Sequence, residues 1–209
     1  KDRGKNTGGM GAYSPAPIVN KKLEKKILNK IVKPTLNYLK KIKNPYTGFL
    51  YVGLMIKKNE PYLIEFNVRM GDPECQVILP RLKTDFVKII KNATNNKLKN
   101  TKIEWKKKKC MTIVMCSKGY PGKYLKNRLV KNLDRLKLKK IDYLFHAGTK
   151  IDNSKIYSIG GRVLNFTSIG NDFLVIRNRI LKLMNKLRWK SGFYRKDIGW
   201  KIINKNENN

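Results

Sequence analysis

The sequence predicts an α+β protein of two modules, and three observations predict it. Residues 49–55 and 62–68 are short runs rich in aromatic and branched side chains, closed by turn-forming residues, the pattern of strands. Residues 172–187 place Phe173, Ile176, Ile180, Leu183 and Leu187 at helical spacing, with Arg177, Lys182 and Lys186 opposite, the pattern of a core-facing helix. Between them, residues 95–109 turn polar and lysine-rich and make the best boundary. The division expected is 1–100 and 108–209.

Taken in order, residues 1–18 are a Gly/Pro-rich loop segment. A helix is predicted over about 20–42, with Leu23, Ile27 and Ile31 on one stripe and an interruption or kink near Pro34, because proline removes a donor and clashes with the preceding turn. Residues 46–56 form a strand apolar on both faces, hence expected to be buried. A turn at 57–60 pairs it with the strand at 62–68. Helices are predicted over 73–82 and from Asp85 to about 94. Beyond the boundary, strands are predicted at 110–117, 143–146, 156–158 and 162–167, with a Gly119-Tyr120-Pro121-Gly122 turn after the first. No internal repeat is present.

The chemistry concentrates at residues 63–74. In a strand alternate side chains share a face, so Glu65 and Asn67 project together while Ile64, Phe66 and Val68 face the other way. Two adjacent oxygens suit a hard cation such as Mg2+, which keeps water and draws further ligands from phosphates. The alternative is a solvated strand face. Arg69 follows two residues later, on the same face if the strand continues; its planar fork suits bidentate binding of phosphate or carboxylate. A salt bridge to Glu65 or Glu74 is the alternative. Asp72, Pro73 and Glu74 have the order of a helix N-cap, first helical position and acidic first turn.

Three other features carry alternatives. Thr7-Gly8-Gly9-Met10-Gly11 can bring backbone N–H groups close to an anion, or be only a tight loop; it lacks the Lys-Ser/Thr ending of a P-loop. His146 is the single histidine, suited either to proton transfer or to a structural hydrogen bond. Arg162, after Gly160-Gly161, either aims at a phosphate or simply begins a strand.

Asn6 to Pro15, Glu65 to Glu74, Gly119 to Gly122, Phe145-His146-Ala147-Gly148-Thr149 and Gly160-Gly161-Arg162-Val163-Leu164 resemble, in order and spacing, the phosphoribosylamine–glycine ligases. The likeness continues to Arg195-Lys196-Asp197-Ile198-Gly199. It implies the large-lobe portion of an ATP-grasp domain followed by a small α+β C-terminal domain. It implies ATP, Mg2+ (or Mn2+), glycine and 5-phosphoribosylamine as ligands, and a place in purine biosynthesis. By resemblance Glu65 and Asn67 are the metal ligands, Arg69 is catalytic, and Asn6, Thr7, Gly8, Gly9, Gly11 and Asp72 shape the substrate pocket. Many ATP-grasp relatives carry a further acidic ligand on the preceding strand; this strand has none, so phosphates and water complete the coordination. Lys5 stands where the family usually has proline. The family's Rossmann-like N-terminal domain, small ATP-grasp subdomain and adenine-binding segments lie outside this sequence. The expectation is therefore a C-terminal half, active with its missing N-terminal half or else a noncatalytic remnant.

Composition bounds the rest. With 209 residues, 41% hydrophobic and 10% aromatic, the chain can bury a core. It has no apolar run long enough to span a bilayer and no apolar leader segment. Cys75, Cys110 and Cys116 form no CxxC pair and suit reduced thiols in a cytoplasmic protein. The formal net charge of +34 would ordinarily suggest nucleic acid. Here the lysines are scattered and accompanied by abundant asparagine and isoleucine, which points to a pervasive compositional bias. No specific nucleic acid is expected, and nonspecific polyanion binding is the alternative.

Overall fold

The computed structural model describes residues 4–203, which pack as two compact units. The larger contains residues 4–15, Asp72–Arg81 and 106–203; the smaller contains Ala16–Gly71 and Leu82–Trp105. No helix among the described residues is long and apolar enough to cross a membrane.

The larger unit is organised on a five-stranded antiparallel sheet in which β1 (Gly11–Ser14), β4 (Lys109–Ser117), β9 (Arg162–Gly170) and β6 (Asp142–His146) lie in that spatial order. β10 (Gly192–Phe193) pairs with the far end of β4. Strand alternation sorts the central residues onto two faces. Met111, Ile113, Met115, Leu164 and Phe166 join the main core, into which α5 (Phe173–Leu187) buries Phe173, Ile176, Ile180, Leu183 and Leu187. That is the stripe the periodicity predicts, and each such side chain contributes about 1.5–3 kcal/mol by leaving water. Asp172 starts the helix by accepting the Val175 N–H at 3.0 Å.

On the opposite face, Cys110 and Ile169 pack with Val77 of α3 (Cys75–Ile78), while Val114 and Cys116 pack with Met10. Thr112 and Thr167, directly opposed in register, share a buried 2.7 Å hydroxyl hydrogen bond, so these polar groups stay satisfied. A smaller sheet orders β5 (Arg128–Leu129), β8 (Lys155–Ser158) and β7 (Thr149–Asp152). Its β7–β8 hairpin turns at Asn153 and Ser154, both with positive φ. The short helix α6 (Trp200–Ile203) buries Ile202 and Ile203.

The smaller unit has little interior. Helix α1 (Lys21–Ile27) is capped by Asn20, whose side chain accepts the Leu23 N–H at 2.9 Å. A π-helical turn at Leu28–Val32 then leads into α2 (Lys33–Lys41), which carries Pro34 in its first turn. The interruption expected near Pro34 is this change of winding just before it. β2 (Tyr51–Lys57) and β3 (Glu60–Asn67) form a two-stranded sheet joined at Lys58-Asn59, both in the left-handed region that a tight hairpin demands. Glu60 receives Lys26 and Lys30, tying α1 to the hairpin. α4 (Phe86–Thr94) is capped by Asp85. Among this unit's described residues, only Leu23 and Ile89 are buried apolar side chains.

Four expectations change. The strand predicted over 46–56 begins only at Tyr51 and is half-buried rather than buried, because a two-stranded sheet has too few layers to enclose it. The helix predicted over 73–82 is one α-turn plus a 3-10 turn, Leu79–Arg81; Asp72 is not its N-cap, a position held by Glu74 without a side-chain bond. The loop expected over 1–18 contains β1, which forms because its backbone pairs with β4. The strand carrying Glu65 ends at Asn67, so Arg69 does not continue its face.

Candidate functional site

In the smaller unit, β3 presents Glu65 and Asn67 side by side. The Asn67 Nδ2 donates to Glu65 Oε1 at 2.9 Å, so the two side chains share a face as alternation requires. Room for the carboxylate comes from the partner strand: Gly53 lies opposite Glu65, and a Cβ there would approach Glu65 Cγ to 3.0 Å. The register also shifts here. Glu65 faces Gly53 while Leu63 faces Leu54, leaving Ile64 as the extra residue of a bulge. Glu65 is exposed, so desolvation does not compel a partner for it within this unit. Among the described residues no cluster of three or more His, Cys, Asp or Glu side chains is placed to hold a metal. The pair of hard oxygens fits a partial Mg2+ shell completed by water and phosphate. Arg69 lies in a bend beyond the strand and donates from Nη1 to the Met70 carbonyl at 2.9 Å.

In the larger unit, four segments distant in sequence converge. The Arg162 guanidinium pairs with the Asp72 carboxylate, Nη2 to Oδ2 at 2.9 Å. Its Nη1 donates to the Asp72 carbonyl at 2.5 Å and reaches the Gly9 carbonyl at 3.4 Å. The other Asp72 oxygen, Oδ1, accepts Gln76 Nε2 at 2.8 Å. The Gly8 N–H donates to the Tyr120 hydroxyl at 3.0 Å. The Gly-rich loop is thus tied down by Tyr120 and Arg162. Gly9 is required on two counts: its φ is +55°, and a Cβ would sit 2.6 Å from Pro73 Cδ. Asn6 and Gly8 are exposed, Thr7 and Gly11 half-buried.

Arg162, whose role the sequence left open, is aimed at Asp72 and the loop rather than merely beginning β9. Gly148 and Gly160 set the backbone before it, since a Cβ on Gly148 would meet Gly160 Cα at 2.5 Å. His146 is exposed, with Nδ1 3.0 Å from Thr149 Oγ1. Sequence reasoning assigned nothing to Tyr120 or Gln76. Tyr120 sits in a conspicuous Gly-Tyr-Pro-Gly turn, but no local pattern says which backbone group its hydroxyl accepts.

Residues 1–75 match the family described as "Phosphoribosylglycinamide synthetase, ATP-grasp (A) domain", and residues 110–201 match its C domain. The chain belongs to the phosphoribosylglycinamide synthetase family. It is 42% identical over 97% of its length to the phosphoribosylamine–glycine ligase of Agrobacterium fabrum, spanning 47% of that relative. The crystal structure of the Thermotoga maritima ligase superposes with a TM-score of 0.75 at 31% identity, covering 94% of this chain and 48% of the other. The chain therefore spans about half the length of the synthetases it matches. A biotin carboxylase from Campylobacter jejuni, at 13% identity and a TM-score of 0.61 over 93% of this chain and 42% of its own, shares the fold. The architecture is that of an ATP-grasp lobe with the synthetase C-terminal domain.

Proposed function

We propose that this chain supplies the metal-binding and C-terminal portion of an enzyme ligating glycine to 5-phosphoribosylamine. Residues 1–100 then belong to the ATP-grasp domain and 108–209 to the C-terminal domain. The γ-phosphoryl of ATP passes to the glycine carboxylate, giving ADP and glycyl phosphate. The amine of phosphoribosylamine attacks the acyl carbon, loses a proton, and phosphate leaves as glycinamide ribonucleotide forms. The observation carrying this reading is the Glu65–Asn67 pair on one exposed strand face, within a chain 42% identical to a ligase over 97% of its length.

Each residue has a role in that scheme. Glu65 and Asn67 would hold a divalent ion, Mg2+ or Mn2+, which when bound neutralises phosphate charge. Arg69 stabilises charge on the transferred phosphoryl group, an electrostatic task that dominates phosphoryl transfer. Asp72, held by Arg162 and Gln76, shapes the acceptor pocket with Asn6, Thr7, Gly8, Gly9 and Gly11. Cys75, Cys110 and Cys116, thiols outside any disulfide among the described residues, suit a cytoplasmic setting.

The smaller unit's surface supports a requirement for more polypeptide. Met55, Tyr62 and Ile64 are 59%, 55% and 61% exposed on a sheet whose two strands pair only with each other among the described residues, and Val68 just beyond it is 74% exposed. Such apolar strands with open edges call for a covering partner. The N-terminal half of a related synthetase is the partner proposed. The test is glycine- and phosphoribosylamine-dependent ADP release by the chain with and without that half, the two shown to associate. Activity is expected only in the mixture, and Glu65→Gln should abolish it without preventing association. Silence of the associated mixture would favour a noncatalytic remnant; full activity of Glu65→Gln at limiting Mg2+ would overturn the metal assignment.

A further inference from the structure

A cavity of about 520 Å3 opens in the larger unit at the C-terminal end of β9. β9 has nine residues, so at about 3.3 Å per residue its two ends lie roughly 26 Å apart. The cavity is therefore remote from the Arg162–Asp72 bridge at the strand's start.

Four cations line it: Lys106, Lys108, Lys140 and Arg179. Three of them rest on neutral acceptors. Lys106 Nζ donates to the Pro80 carbonyl at 3.0 Å, Lys108 Nζ to Asn171 Oδ1 at 2.7 Å, and Arg179 Nη1 to Ser168 Oγ at 3.2 Å. The Ser168 hydroxyl in turn donates to Asp142 Oδ1 at 2.7 Å, so the arginine meets that carboxylate only through a hydroxyl. The one carboxylate on the cavity wall, Asp172, is engaged in capping Val175. No ion pair among the described residues includes any of the four cations. Crowding unneutralised like charges around a concavity is unfavourable unless an anion offsets it, and concavity focuses the field on whatever enters.

The rest of the lining is apolar, with Ile141, Ile169 and Val175 beside the ring of Tyr143. That ring is held flat against Phe145, with centroids 6.0 Å apart and planes within 4°. A cavity of this size, with cations and an immobilised aromatic face, suits a ligand with a polyvalent phosphate head and a flat body. We infer that it binds a nucleoside di- or triphosphate at a site remote from the Arg162–Asp72 bridge.

The test must exclude diffuse attraction by the +34 charge. ADP binding to the chain is measured calorimetrically at physiological ionic strength with a chelator present, which silences any divalent ion at Glu65. Saturable binding with one site is expected, with pyrophosphate binding more weakly because it lacks the flat body. The double variant Lys140→Gln/Arg179→Gln should weaken ADP by at least about tenfold, the loss expected from charge-assisted contacts. The control Lys25→Gln/Lys41→Gln removes the same charge from the smaller unit and should leave binding unchanged. Lys140→Glu, at an exposed position, repeats the test should the double variant fail to fold. Equal weakening by the control, or no saturable ADP binding by the folded parent chain, would overturn the inference.

Discussion

Removing the Arg162 side chain should release the Gly-rich loop from the Gly-Asp-Pro turn. Arg162 makes three contacts from one planar fork: the Asp72 carboxylate at 2.9 Å, its carbonyl at 2.5 Å and the Gly9 carbonyl at 3.4 Å. The ion pair is part-exposed, with side chains 24% and 43% accessible, so after screening by water it contributes well under about 1 kcal/mol. The bond to the Asp72 carbonyl has a charged donor and contributes about 1.5–3 kcal/mol; the 3.4 Å contact adds little. Arg162→Ala should therefore cost about 2–3 kcal/mol, borne mostly by the backbone bond. The assay is urea unfolding read by hydrogen exchange at β4 and β9 amides, which isolates the larger unit, with loop amides followed in parallel. The Met10 and Gly11 amides should exchange faster in Arg162→Ala. Gly8 should change less, because Tyr120 still accepts its N–H. Arg162→Lys keeps the charge but not the fork and should recover under half of the loss. Parent-like stability and loop exchange in Arg162→Ala would refute the bracing role; complete recovery by lysine would show that charge alone suffices.

Two further expectations concern titration. Burial pushes the Cys110 and Cys116 thiols up to about 12, and burial followed by the Asp72 charge raises Cys75, which remains half-buried. A disulfide reagent at pH 8 should thus modify Cys75 first and slowly, with all three thiols reacting after denaturation; rapid modification of Cys110 in the folded chain would contradict this. Because the unfolded thiols ionise near 9, the unfolded state binds fewer protons above that pH, and stability should fall as pH rises from about 9 towards 12. At the acid end, the hydrogen bond from Arg195 holds Asp197 down at about 2, below its ordinary 3.8. Its contribution is present above about 4 and lost as pH falls towards 2, so Asp197→Asn should flatten acid unfolding in that window; an unchanged profile would remove Asp197 from the account.

Features carried by short stretches of chain were legible in the sequence. The helices that begin near Asn20, Asp85 and Asp172 start where the sequence places them, each held by a local side-chain bond to a free N–H, whereas the cap read at Asp72 does not form because that carboxylate faces Arg162 and Gln76. The α5 stripe and the shared face of Glu65 and Asn67 follow from periods of 3.6 and 2, which need no knowledge of the partner. The depth of burial was not legible. Residues 51–55 are as apolar as a core strand, yet 51–54 stay half-buried and Met55 is exposed, because the number of layers laid over a strand is a property of the assembled unit. β1 was invisible for a related reason: four residues with two small side chains have no strand preference of their own and take it from β4, about 100 positions away. Arg162 shows the limit most clearly. Its residue type and flanking glycines indicated a purposeful guanidinium, but its acceptors are 90 and 153 positions distant in sequence. Amphipathic faces are settled over a few residues of backbone. The aim of a long side chain is settled by which strands pair, so only the tertiary structure could decide it.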